Sequence, residues 1–147
     1  MDRGLAVALT AAAGAVIGLQ PMINSLLGRQ IGTLQAALVS FLIGTVALVV
    51  VVGLFGGGFG SIGEISGVPW HYLLGGVMGA LYITCALVTV RTLGAGGITA
   101  ATIAGQLTIS VIADRQGWLG VEQRPVTLST LLGVVMLAAG TLLVVRD

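Results

Sequence analysis

Gln20 and Asn24 stand four residues apart inside an otherwise oily run, "LAVALTAAAGAVIGLQPMINSLLGR". On a helix that spacing puts both carboxamides on one face. Thr99, Thr102, Gln106 and Ser110 follow one another at steps of three, four and four and draw a second polar stripe, with Gln106 near its centre. Ser40 and Thr45 fall midway along another apolar stretch, and Tyr82 and Thr84 within a third. All of these groups are neutral, so their chemistry is hydrogen bonding. A carboxamide both donates and accepts, and burying one without partners carries a penalty. The stripes must therefore bond to one another or face a wet cavity. Hydrogen bonds between membrane helices average only about 0.6 kcal/mol. That is too little to explain two glutamines and an asparagine where leucine would serve, which favours the cavity. Pro21 supports it, because proline removes one backbone N–H and frees a carbonyl one turn earlier, near residue 17. The candidate solute-binding residues are Gln20, Asn24, Ser40, Trp70, Tyr82, Thr84, Thr102 and Gln106.

What the apolar stretches lack narrows the chemistry further. No Asp, Glu, Lys or Arg lies near the middle of any of them. Ionisable side chains at membrane depth are the usual mark of a proton relay. Small multidrug exporters keep a glutamate in the first helix, whereas here the comparable depth offers only Gln20 and Asn24. That argues against a proton-coupled cation antiporter of that design. No nucleophile stands beside a base, and the single His71 sits between Trp70 and Tyr72, so no enzyme, metal site or cofactor is predicted. The glycine-rich "GGGFGSIGEISGVP" at 56–69 has neither the lysine nor the preceding strand of a phosphate-binding loop and reads as a flexible connection. No basic stripe exists to hold nucleic acid.

These residues need apolar helices to position them. The 147 residues are 56% hydrophobic and 7% charged, against about 25% charged in a soluble domain. So few charges cannot cover a water-facing surface, and the class is integral membrane protein. A spanning helix needs about 20 apolar residues. Five segments qualify: roughly 5–27, 34–55, 70–90, 97–113 and 126–145, the fourth being short and the most polar. Backbone groups in lipid must pair internally, and the alternation of a β-barrel is absent. The prediction is one all-α domain over 1–147, a polytopic bundle of five transmembrane helices. Asp2 weakens any resemblance of the N-terminus to a signal peptide, so the first run is read as a retained span. Trp70, His71 and Tyr72 fit an aromatic belt at the membrane surface. Cys85, the one cysteine, can form no intrachain disulfide.

With five spans the termini lie on opposite sides. Arg3, Arg115 and Arg124 then fall on one side and Arg29, Arg91 and Arg146 on the other, with no lysine anywhere. Membrane proteins are oriented by their Lys/Arg bias, and here the bias is zero. The simplest consequence is dual topology, the chain inserting both ways and pairing with its inverted copy. Small residues recur every fourth position, at Gly14 and Gly18, Gly75 and Gly79, and Ala101 and Gly105, which lets helix backbones approach closely.

Three motifs in order carry a family resemblance: "GLQPMINSLLGR" in the first span, "WHYLLGGVMGALYIT" from Trp70 to Thr84, and "AGQLTISVIADRQGWLG" from Ala104 to Gly120. Together they resemble the YdcZ-like family of the drug/metabolite transporter superfamily over essentially the whole chain. The resemblance implies a five-helix, multi-pass protein of the bacterial inner membrane that transports small polar metabolites or drug-like compounds. It also implies, for a single-gene member, an antiparallel homodimer, which the arginine balance suggests independently. Expected partners are a small-molecule substrate, membrane lipid and a second, inverted copy. Two other functions fit the same features: a dual-topology ion channel, and a membrane partner protein whose polar residues are interhelical glue. Asp114 and Arg115, which end the fourth segment, are expected to cap it or to form an ion pair at the membrane surface.

Overall fold

The computed structural model describes residues 2–120 and 122–146. Its helices are α1 (Arg3–Ile31), α2 (Thr33–Phe55), α3 (Leu74–Gln116) and α4 (Leu128–Arg146). Short 3-10 turns occupy Gly60–Gly67, Trp70–Leu73 and Trp118–Gly120. No strand occurs among the described residues. Each of the four helices is long and apolar enough to cross a membrane.

Four helices stand where five spans are expected, and the reason is local. Residues 91–96, read as a connection between two spans, carry helix up to and beyond Gly94 with no intervening loop, so both spans fall within α3. At 43 residues α3 would extend about 64 Å, roughly twice the hydrocarbon core of a bilayer at about 30 Å. It is not one straight helix, however. Gly94 has φ 68° and ψ 171°, and two helices meet there at a kink. That backbone conformation is one only glycine adopts without strain. α1 is also longer than expected, 29 residues with Pro21 inside it. The glycine-rich connection, expected as a plain flexible loop, carries the Gly60–Gly67 3-10 turns.

The chain divides into two compact units: Met1–Gly18 with Thr89–Asp147, and Leu19–Val88. In the unit formed by Leu19–Val88, Ala36, Ala37, Ile83 and Leu87 make a small buried cluster, with Leu27 packed against it. Gly28 faces this cluster. A Cβ there would lie 3.7 Å from both Ala36 and Leu87, an ordinary packing contact, so alanine would fit and only a longer side chain would press on them. Gly32 turns the chain from α1 to α2 with φ +98°, and any side chain on it would collide with that of Gln35.

In the other unit, α4 lies against the second half of α3. Cβ atoms added at Gly96 and Gly97 would meet Val144 at 3.9 Å and Val145 at 3.6 Å. The Thr141 hydroxyl donates to the Ala100 carbonyl at 3.1 Å, while also lying 2.9 Å from the Leu137 carbonyl of its own helix.

Leucines, valines and isoleucines on all four helices are mostly exposed. Leu48 is 65% and Met136 74% accessible. In water such a surface would aggregate. In lipid it is the expected one, since the tails are as apolar as leucine and the helices bury only what packing requires.

Candidate functional site

The polar side chains inside the helices fall into two classes, separated by what satisfies them. Thr10, Thr45, Thr84 and Thr108 each donate to the carbonyl four residues earlier, all at 2.8 Å. This back-bonding spends the hydroxyl proton within its own helix. Those threonines need neither cavity nor neighbour, and Thr45 and Thr84 are less demanding than their depth suggested.

The carboxamides are different. Among the described residues, the side chains of Gln20, Asn24 and Gln106 make no hydrogen bond, nor do those of Ser40, Tyr82 and Thr102. Asn24 is the extreme case. It is 5% exposed, the one buried polar residue among those described, and its Nδ2 has no partner. Pro21, one turn earlier on α1, is fully buried. Because proline has no N–H, the Ile17 carbonyl loses its intrahelical donor. A helix thus brings an unpaired donor and an interrupted backbone bond to one stretch, residues 17–24.

Gln20, Asn24, Ser40, Tyr82 and Thr84 all belong to the unit formed by Leu19–Val88. All but Asn24 are half-buried. Trp70 belongs to the same unit but is 72% exposed. It stacks edge-on with His71 at 6.0 Å, and His71 does the same with Tyr72 at 4.6 Å. This trio has the form of the expected aromatic belt.

Thr102 and Gln106 lie in the other unit, on the second half of α3. Thr102 is half-buried, whereas Gln106 and its neighbours Gly105, Thr108, Ile109 and Ser110 are exposed. A cavity of about 560 Å³ in this unit is lined largely by small residues of α3 and α4, among them Gly96, Thr99, Ala100, Gly140 and Thr141. Thr141, which the sequence did not single out, is a wall residue whose hydroxyl is already engaged. Its only advance signal was being polar within the last apolar run.

A second cavity, of about 690 Å³, lies where α3 ends and α4 begins, and Arg115 and Arg124 line it. The ion pair expected of Asp114 and Arg115 does not form among the described residues. Adjacent residues on a helix do not face each other. Instead the Asp114 carbonyl accepts the backbone N–H of Arg124 at 3.0 Å. No group of His, Cys, Asp and Glu among the described residues could hold a metal ion.

Four helices long and apolar enough to cross a membrane, with uncharged polar side chains within them, define a polytopic membrane protein. The model of the family described as "Putative inner membrane exporter, YdcZ" matches residues 5–143, nearly the full length. The chain belongs to this family and is an inner-membrane transporter. No curated protein and no solved structure matches it.

Proposed function

We propose that the chain exports small polar solutes, neutral or weakly charged, by alternating access as an antiparallel homodimer with five spans in each copy. The observation that carries this reading is Asn24, a buried carboxamide whose Nδ2 is unpaired. An unsatisfied buried donor costs about 1–3 kcal/mol. A helix that keeps one keeps it for an acceptor that comes and goes. Gln20, Ser40, Tyr82 and Thr84 join Asn24 as solute ligands in the Leu19–Val88 unit, and Thr102 and Gln106 are ligands offered by the other unit. Trp70 is assigned to the membrane surface. The absence of any ionisable side chain at this depth favours cargo without a full charge, since no buried counter-ion would meet it.

The five-span reading rests on Gly94. The kink divides α3 into residues 74–93 and 95–116, about 30 and 33 Å of helix, each a bilayer in length. Five spans place three arginines on each side, so nothing in the Lys/Arg count prefers one orientation. The exposed Gln106 face supports the pairing. A glutamine on a lipid-facing surface would have no partner, whereas a second copy supplies one. In an inverted pair the inward-open and outward-open states are mirror images, and rocking of one copy against the other exchanges them.

The orientation test uses C-terminal reporters, one active only in the cytoplasm and one only in the periplasm. Both should give signal, and signal from one alone would count against the inverted pair. The transport test uses proteoliposomes loaded with a panel of labelled neutral amino acids, sugars and nucleosides. Saturable efflux of at least one is expected. Non-saturating ion conductance in its place would favour a channel.

A further inference from the structure

We propose that the cavity at the α3–α4 junction is a binding site for a phosphate-bearing anion, formed by the guanidinium groups of Arg115 and Arg124. This goes beyond the transport reading and does not depend on it. The two arginines line one cavity of about 690 Å³ together with Gln123, Pro125, Val126 and Leu131. Neither forms an ion pair among the described residues, although Asp114 and Glu122 are close in sequence. Both arginines are exposed, so an anion can reach them from outside. Arginine's planar fork suits phosphate oxygens, which it can grip two at a time.

The backbone around the cavity is held in an unusual conformation. Gly117, Leu119 and Gly120 have positive φ, at 66°, 57° and 80°. For leucine the left-handed region is uncommon and costs energy, so it persists only where the surroundings fix it. Two bonds do the fixing. The Arg124 N–H donates to the Asp114 carbonyl at 3.0 Å, and the Gln123 side-chain amide donates to the Gln116 carbonyl at 3.3 Å. Gly117, at φ +66°, favours glycine, and a Cβ there would come within 2.8 Å of the Gln123 side chain, which would have to shift. The reversal thus returns Arg124 to the end of α3, one residue from Arg115.

The ends of spanning helices lie at headgroup depth. Here Gln116 ends α3 and Leu128 begins α4. Trp118 and Leu119 on the reversal are 45% and 86% exposed, an aromatic and an aliphatic group offered at the same level. The exposed apolar side chains of Val126 and Leu131 in the cavity lining suit the start of an acyl chain, while the two arginines suit a phosphodiester. The ligand chemistry is phosphate, supplied either by the headgroup of an anionic phospholipid or by a small soluble phosphate.

The test places the full-length protein in nanodiscs of phosphatidylcholine and compares three arms: no addition, 20 mol% phosphatidylglycerol (about one lipid in five), and inorganic phosphate in the buffer. Melting temperature and, by native mass spectrometry, retained lipid are read. A shift with phosphatidylglycerol alone identifies a membrane lipid as the source, and a shift with phosphate alone identifies a soluble one. Either supports the site. Arg115→Gln and Arg124→Gln should each weaken the responding arm at least about tenfold in affinity. Arg29→Gln, a lone arginine at the end of α1, should leave it unchanged. Arg124→Lys keeps the charge and loses the fork, so an intermediate loss is expected. Each variant is first checked for a wild-type melting temperature in plain phosphatidylcholine, which separates lost binding from lost folding. No shift in either arm, or an equal loss in Arg29→Gln, would overturn the proposal.

Discussion

Asn24 and Gln106 carry the same functional group type and meet opposite surroundings. Asn24 is buried within the chain and its Nδ2 has nothing to bond. Gln106 is exposed on α3, beside the equally exposed Gly105. One polar stripe is over-protected and the other unprotected. In lipid neither condition is stable by itself, because hydrocarbon offers no hydrogen bonds. The buried amide calls for a small guest, and the exposed one for a large neighbour. The proposed transporter, completed by its own inverted copy, would supply both.

The sharpest way to break this contrast is to remove the buried donor. Asn24→Ala should lower solute flux at least about tenfold, the loss of one hydrogen bond worth roughly 1.5 kcal/mol. Because the unpaired donor itself costs about 1–3 kcal/mol in the folded chain, its removal should leave folding unchanged or more stable by up to that amount. Flux in proteoliposomes and melting in detergent, measured on one preparation, read both halves. Retained flux, or a collapse in stability, would assign Asn24 a packing role instead. Gln106→Leu should likewise lose flux while folding survives.

Gly105→Leu probes the exposed face. Nothing lies within 4 Å of a Cβ at Gly105, so a single chain has room for the larger side chain. The expected result is a folded monomer with the dimer lost, seen by light scattering corrected for detergent. A dimer that persists would put the contact elsewhere.

A smaller effect is expected at the kink. Gly94→Ala should destabilise by about 1–3 kcal/mol through backbone strain alone, since nothing within 4 Å opposes the added methyl. Thermal melting checks it, and an unchanged midpoint would mean that the kink is not required. The least effect belongs to Thr141→Val, which deletes the bond to Ala100. A cost near 0.6 kcal/mol is expected, measurable as a slight fall in the same melting curve.

The all-helical, membrane-spanning class was legible from composition, because 7% charged residues leave no other surface. The polar stripes were legible too, as residue types at helical spacing. Their satisfaction was not. Thr84 and Gln20 look alike as polar interruptions, yet only the threonine reaches back to its own helix. The break between the third and fourth spans was legible at 91–96, but its form, a single-residue kink at Gly94, was not. "RTLGAGGIT" reads as a short connection, and that helix continues on both sides of Gly94 depends on one backbone torsion. The Arg115–Arg124 cavity was the least legible. The two arginines are nine positions apart, and the reversal between them turns on a left-handed Leu119, a conformation that residue type does not announce.

The antiparallel pairing can be tested most directly by cross-linking across the Gln106 face. Thr102 and Ser110 sit four residues to either side of Gln106, about 6 Å along the axis each way. Two differently tagged copies, one carrying Thr102→Cys and the other Ser110→Cys, both with Cys85→Ala, would be co-expressed and oxidised in native membranes. An inverted pair brings position 102 of one copy beside position 110 of the other, so the mixed cross-link should dominate. Dominance of the 102-to-102 product, or no cross-link at any of these positions, would contradict it.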